Sequence, residues 1–518
     1  MDTDVSDAIH VDQLGYRPND IKRAVLPEDC EEFHICQASD GVSVFTAEAS
    51  QSRGSLASGE RVRVADFTVF ATPGEYFISD GKGRSYTFAI AENPYGELRA
   101  TVLNFFEMQR CGTEIDAPPW SHPACHTGIA YVLDRDGQKT GETKAVIGGW
   151  HDAGDYSRYV IPGAMSVAQI LLGYELAPNP DGNALDVAWF KIEWMLQMQD
   201  EGTGGVYHKI GCANFNALNE APQDEKGEIV LSPISPAATA AFSATMAMAS
   251  RFYPDHSAEL LEAARRAWVW ADENPGVPGF RNPPGVVTGE YAGSDPSDMR
   301  YWAASELFVA TGDETYHDYL KSSKVYTGMG WTSLGTYGIV NYLLRAGDKA
   351  DAALSDKMKS ALASEVKTVM DNYQKDPYGI SLGGVYQWGS NMYLANNAAM
   401  LLLYNIIEPG EGYYDAALEH MSYLLGKNAL SQSYITGFGS NASKDPHHRL
   451  SVAAGQTVLG MVVGGPNGKT NDDPVLNANR KGEPPMKCYI DNRESYASNE
   501  VAIYWNSPVY LLLALLDF

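Results

Sequence analysis

Two aspartates three residues apart, Asp152 and Asp155, sit in GGWHDAGDYSRYV (148–160), a stretch bracketed by glycines and aromatic side chains. For an arbitrary Asp-x-x-Asp pair the ordinary reading is a turn or a helix N-cap. Trp150 and Tyr156 shift that reading, because aromatic rings beside carboxylates are what a sugar face stacks on. Two close carboxylates can also hold one water between them and draw its proton, which is base catalysis of hydrolysis. A second acidic position lies far along the chain, in YIDNRESYASNEVAIYWNSPVYLLLALL (489–516). There Glu500 reads as the start of a strongly apolar helix, where a carboxylate could simply complement the helix dipole. Its aromatic neighbours Tyr496, Tyr504 and Trp505 favour instead a neutral carboxyl, the form a leaving-group acid needs.

Cys111, Cys125, His126 and His151 gather around one loop, RCGTEIDAPPWSHPACH (110–126) and the WHD that follows. Two thiolates and two imidazoles make a closed tetrahedral zinc set. Scattered Cys and His are more often unrelated side chains, so spacing alone leaves this the minority reading.

These residues need elements to hold them. Up to about residue 92, short runs such as VSVFTA, VRVADFTVF and EYFISD alternate apolar with polar, which reads as a small β-sandwich. From NPYGELRATVLNFFEMQRCG onward apolar residues recur at three- and four-residue steps, the pattern of amphipathic helices. Helices are predicted near 96–112, 163–178, 186–201, 237–253, 257–274, 299–312, 335–347, 354–374, 392–407, 411–427 and 496–516, with very little strand among them. Helices paired around a common axis leave the chemistry to the long loops at one end, near 113–162, 202–235, 275–298, 428–450 and 459–495, since long loops in compact domains are usually functional.

The chain has 518 residues, 44% hydrophobic and 20% charged, with a formal charge of -27. That is ordinary globular composition, and its acidity disfavours nucleic acid and anionic lipid as partners. No run reaches the length of a membrane span, and MDTDVSDAIHVDQ lacks a signal peptide's pattern. As written the chain reads as cytoplasmic; a start Met placed before a mature secreted sequence would read the same. Six cysteines show no disulfide framework.

The order of motifs resembles glycoside hydrolase family 9, the cellulase and endoglucanase family, in the branch with an N-terminal immunoglobulin-like domain. The resemblance is carried by DAGDY (152–156), YITGFGSNASKDPHHR (434–449) and the run Tyr489, Asp491, Tyr496, Glu500, Ala502, Asn506, Ser507. IHVDQLGYRPNDIKRAVL, GGVYHK (204–209), WAASELFVATGD (302–313), WGSN (388–391) and GGPN (464–467) add to it. It implies an immunoglobulin-like β-sandwich over 1–92 and an all-α (α/α)6-barrel catalytic domain over 93–518. It implies Asp155 as general base, Asp152 orienting the same water, Glu500 as general acid and Asp491 in support. His447 and Arg449 would hydrogen-bond sugar hydroxyls, with His208 and Trp505 as further cleft-lining candidates; Trp388 reads as packing at the start of a helix.

The implied activity is inverting hydrolysis of β-1,4-glucan, endo-cutting soluble or amorphous cellulose and mixed-linkage glucan. Exo-cutting of short glucosyl or glucosaminyl oligosaccharides is the alternative. Inversion requires about 6.5–9.5 Å between base and acid carboxyls. A non-catalytic carbohydrate-binding protein is the rival of another class, and it has no need of both an acid and a base. The resemblance makes Cys111, Cys125, His126 and His151 a structural zinc site beside Asp152. Ser294, Asp295 and Asp298 in GSDPSDMRYW look like a calcium loop, but Met299 and Thr332 stand where relatives carry acids, which weakens affinity for a hard cation. The expected partner is a β-glucan or cello-oligosaccharide, taken by a monomer without an organic cofactor.

Overall fold

The structure is a computed structural model describing residues 5–293 and 295–518. Eight strands open the chain: β1 (Gly15–Tyr16), β2 (Arg23–Pro27), β3 (Glu32–Gln37), β4 (Ser43–Glu48), β5 (Arg53–Ser55), β6 (Glu60–Asp66), β7 (Gly74–Ser79) and β8 (Phe88–Ile90). They form a five-stranded sheet, β1-β8-β7-β3-β4, and a three-stranded sheet, β2-β6-β5. Alternation decides which side chains face inward: in β3, Phe33 and Ile35 are fully buried whereas His34 is not. They join Leu26, Ala65, Phe67, Ile78 and Phe88 in one core.

Two compact units divide the chain: residues 1–105, 366–447 and 457–518 form the first, and 106–365 with 448–456 the second. The sandwich therefore shares its unit with helices Ser390–Ile407, Tyr413–Leu424 and Ile503–Leu516. The Arg17 guanidinium lies 3.8 Å from the Phe518 ring centroid and donates to the carbonyls of Leu516 and Asp517. Arg53 donates to the carbonyls of Gln374 and Lys375 at the end of helix Ala352–Lys375, where a cation complements the helix dipole.

In the second unit, helices Val160–Leu176 and Pro236–Ala249 are buried on almost every side, whereas Ser257–Glu273 keeps an exposed face. Ser235 caps the second of these, accepting from Ala238 N–H at 3.2 Å, with Pro236 at the first helical position. The helical rhythm predicted from sequence is present, but three short helices, Glu314–Ser322, Arg449–Ala454 and Pro474–Arg480, were not expected. Nor was a five-stranded sheet, β10-β9-β13-β12-β11, built from β9 (Ile129–Leu133), β10 (Lys139–Ala145), β11 (Arg158–Tyr159), β12 (Lys209–Cys212) and β13 (Ile229–Leu231). Its strands are too short or too polar to alternate legibly. Among the described residues no helix is long and apolar enough to cross a membrane.

Within the first unit, Asp12 is fully buried. It accepts from the Leu14 and Gly15 N–H groups at 2.9 and 3.1 Å and from the Tyr95 hydroxyl at 2.8 Å. Burial outweighs these bonds and pushes its pKa up to about 7. The folded chain thus binds this proton more tightly than an unfolded one, whose aspartates titrate near about 3.9. Between about pH 4 and 7 this group lowers stability as pH rises. Asp12→Asn is expected to remove that slope. Urea midpoints of both proteins at about pH 4.5 and 7 check it; a difference between the proteins that does not change with pH would show that Asp12 stays ionised.

Candidate active site and metal centre

The loop of Asp152 and Asp155 runs into β11, and its shape starts with two glycines. Gly148 and Gly149 have φ of 99° and 75°, and a Cβ on Gly149 would meet the Trp194 ring at 2.6 Å. Only glycine allows both the left-handed backbone and this close approach. Gln109 then holds the loop from the side, donating to the carbonyls of His151 and Ala153 at 3.2 and 3.0 Å. The buried Arg158 donates to the carbonyls of Val146 and Gly148 at 3.2 and 2.7 Å.

So held, Asp152 is fully buried, accepting through Oδ2 from the Tyr291 hydroxyl, while Oδ1 has no partner within the protein. Burial drives its pKa upward. Lys191, also fully buried, opposes this electrostatically. Its Nζ has no hydrogen-bond partner and lies 3.9 Å from the Trp194 ring centroid, and burial drives its own pKa down. Asp155 accepts from Ser157 N–H at 3.3 Å; burial raises its pKa and the Arg449 charge opposes that rise. Tyr291, absent from the sequence-level candidates, holds φ at 43°, a backbone region a bulky residue seldom occupies. Its ring packs edge-on against Tyr159 and Trp331. Nothing local in GEYAGSDP signals this, because Tyr291 and Asp152 are far apart in the chain.

Arg449 does not display a free fork. It donates through Nη1 to the Gly154 carbonyl at 2.9 Å and through Nε and Nη2 to the Asn216 carbonyl at 3.3 and 3.1 Å, so it braces the Asp155 loop. His208 is corrected outright: it is buried, stacked on Phe280, with Nδ1 against Ser235 Oγ at 2.8 Å and Nε2 against the Glu290 carbonyl at 3.0 Å. Burial lowers its pKa to about 3; it is a satisfied interior histidine.

Cys111, Cys125, His126 and His151 converge in the same unit, all ligand atoms within 4.8 Å of one another. The sulfurs are 3.9 Å apart, Cys111 Sγ is 3.6 Å from His126 Nδ1, and Cys125 Sγ is 3.7 Å from His151 Nε2. A tetrahedron with metal–sulfur bonds of about 2.3 Å and metal–nitrogen bonds of about 2.0–2.1 Å has sulfur–sulfur and sulfur–nitrogen edges of about 3.5–3.8 Å. The donor set fits such an ion in both spacing and chemistry. The calcium loop gains no such support. Ser294 lies outside the described residues. Asp295 accepts from the backbone and hydroxyl of Ser297, and Asp298 Oδ2 accepts from Leu334 N–H at 2.7 Å. Asp295 serves the start of helix Ser297–Thr311 and Asp298 the start of helix Gly335–Arg345, with Met299 and Thr332 supplying no further carboxylate.

In the first unit, the expected continuous helix 496–516 is broken. Helix Tyr496–Asn499 ends at Glu500, which is extended (φ -70°, ψ 163°), and Ile503–Leu516 follows. Glu500 pairs with His447 in a parallel bridge and Val501 with Val463 in an antiparallel one; these pairings pull the carboxylate-bearing residue out of the helix. Asp491 steadies the same region, accepting from the N–H groups of Lys444 and Asp445 at 2.8 and 3.0 Å and from Asn499 Nδ2 at 3.1 Å. His447 Nδ1 sits 2.6 Å from the Arg493 carbonyl.

Two tryptophans differ from expectation in their burial. Trp505 is 2% exposed, packed beneath Gly389 and Gly464, whereas Trp388 is 41% exposed. Trp388 lies 5.5 Å from the Tyr496 ring, which is 6.0 Å from His447. Trp388 is thus an exposed ring beside Tyr496, whereas Trp505 is buried.

Comparison with known proteins places the chain. The model for glycosyl hydrolase family 9 matches residues 95–513, and that for the cellulase N-terminal ig-like domain matches 4–85. Endoglucanase D of Acetivibrio thermocellus is 33% identical over 98% of this chain and 83% of its own length. The structure of AaCel9A in complex with cellobiose-like isofagomine superposes with a TM-score of 0.92 at 36% identity, covering 99% of this chain and 100% of that one. A Zn-binding triple mutant of the family 9 endoglucanase J30 has a TM-score of 0.89 at 29% identity, over 96% and 99% of the two chains. The chain joins an immunoglobulin-like N-terminal domain to a catalytic domain, and it belongs to glycosyl hydrolase family 9.

Proposed function

We propose that the chain is an inverting endo-β-1,4-glucanase acting on soluble or amorphous β-glucan, with an (α/α)6-barrel catalytic domain. The observation that carries this is the pair of buried carboxylates, Asp152 and Asp155, braced in one loop by Tyr291, Arg158 and Arg449. In this reading Asp155 takes a proton from water as the oxygen attacks the anomeric carbon. Asp152 accepts the water's other hydrogen through its unpartnered Oδ1. Glu500 gives its proton to the departing glycosidic oxygen, and attack from the face opposite that oxygen inverts the anomeric centre. Trp388 offers an apolar face for a glucosyl ring, and His447 a ring nitrogen for its hydroxyls. The endoglucanase relatives and the cellobiose-like ligand of a structural neighbour support β-1,4-glucan as substrate.

Cys111 and Cys125 through sulfur, His126 through Nδ1 and His151 through Nε2 would hold a structural zinc. Bound there, it would cross-link the 111–126 loop to the residue before Asp152, all four coordination positions being taken by protein. Its contribution is to stability.

Glu500→Gln and Asp155→Asn are each expected to lower kcat on lichenan or carboxymethylcellulose by about 10²–10⁴-fold with melting temperature retained, and the first product seen by NMR is the α-anomer. Full turnover in either variant, or a β-anomer, overturns the assignment. Tyr291→Phe removes a hydrogen bond to a carboxylate worth about 1.5–3 kcal/mol, so kcat should fall about 10- to 100-fold at nearly unchanged KM; wild-type kcat would mean that Asp152 needs no donor. Chelation should strip the metal and lower Tm, and calorimetry showing an unchanged Tm in protein proven metal-free would exclude a structural role.

A further inference from the structure

Between β12 and β13 the chain runs for sixteen residues, 213–228, without helix or strand. Loops of that length inside compact domains are uncommon unless they are functional. Several groups tie it down near Asp155: the Asn216 carbonyl holds Arg449, and the Glu220 carbonyl accepts from the Tyr156 hydroxyl at 2.8 Å. Its other end carries the polar run QDEKGE (223–228). There Asp224, Lys226 and Glu228 are exposed, as such a run normally is, but Glu225 turns inward and its side chain is 7% exposed.

Inside, Glu225 Oε2 lies 2.7 Å from His126 Nε2. His126 directs its other nitrogen, Nδ1, toward Cys111 Sγ. Burial, and after it the nearby Glu225 carboxylate, raise the pKa of the Cys212 thiol at the end of β12. One carboxylate thus faces the outer nitrogen of a candidate metal ligand, which sits placed to donate to it, and joins the cysteine loop to loop 213–228.

We infer that Glu225 is a positioning residue: it fixes His126 as an Nδ1 ligand and makes the order of loop 213–228 depend on metal loading. The inference rests on the metal reading given above. A carboxylate accepting from the far nitrogen of a ligating histidine fixes the tautomer and ring orientation, and its loss typically costs about 10–100-fold in metal affinity. What is particular to this chain is that the carboxylate belongs to the loop whose Asn216 and Glu220 carbonyls hold Arg449 and Tyr156. Binding an ion orients His126, His126 holds Glu225, and Glu225 closes the far end of the loop.

The test uses the full chain and zinc itself, with competition against a chromophoric chelator for affinity and amide hydrogen exchange over 213–228 for loop order. Wild-type protein is expected to bind one zinc and to show slower exchange in that loop when loaded. Glu225→Ala should weaken zinc binding by about 10–100-fold and leave the loop fast-exchanging even at saturating zinc. Glu225→Gln keeps a carbonyl to accept the His126 N–H, so it should retain loop protection while weakening zinc less than Glu225→Ala; it also serves if the alanine variant fails to fold. Tight wild-type zinc binding with unaltered affinity in the variants, or loop exchange indifferent to zinc, overturns this inference and leaves the metal site standing. Wild-type protein that takes up no zinc overturns both.

Discussion

Keeping two carboxylates ionisable while taking them out of water is the constraint on which the second compact unit is built. Moving a carboxylate into a low-dielectric interior costs several kcal/mol (about that order even after relaxation) unless charges and donors compensate. The compensation around Asp152 and Asp155 comes from separate parts of the chain: Tyr291 by hydrogen bond, Lys191 and Arg449 by charge, and Arg158 and Gln109 by fixing the loop backbone. Lys191 is itself buried without a hydrogen-bond partner, with the Trp194 ring and the Asp152 charge as its compensation. A binding module would have no reason to carry that burden; a pair of carboxylates proposed to act on a water does.

What could be read in the sequence was what is local. The Asp-x-x-Asp loop, the cysteine and histidine spacing around residues 111–126 and the helical rhythm all lie within short windows. The five-stranded sheet was illegible because β11 has two residues and β10, KTGETKA, is almost wholly exposed. Period-two alternation needs an apolar face to show itself. Glu500 was placed on a helix because the residues around it are apolar and periodic, whereas pairing with His447 and Val463 across the chain extends the backbone there. Tyr291, Glu225 and the burial of Trp388 and Trp505 share one cause: each depends on which distant segment a side chain meets, and one sequence holds no record of that.

The N-terminal sandwich belongs to the mechanics of the first unit. A boundary at about residue 92 follows the change from alternating to helical pattern, yet the compact unit extends across it, because Asp12 meets Tyr95, Arg17 meets Phe518 and Arg53 caps the helix ending at Lys375. The same unit carries Glu500 and Trp388, so the sandwich braces helices whose loops present both.

The paired thiols of the metal nest have a consequence for redox ageing. Cys111 and Cys125 hold their sulfurs 3.9 Å apart, and a disulfide closes at about 2.05 Å. With no ion between them, a two-electron oxidant needs only a small inward movement to join them, and the bond would delete both sulfur ligands in one event. An ion held there would therefore be a protecting group as well as a cross-link, and shelf life in air would become a function of metal content.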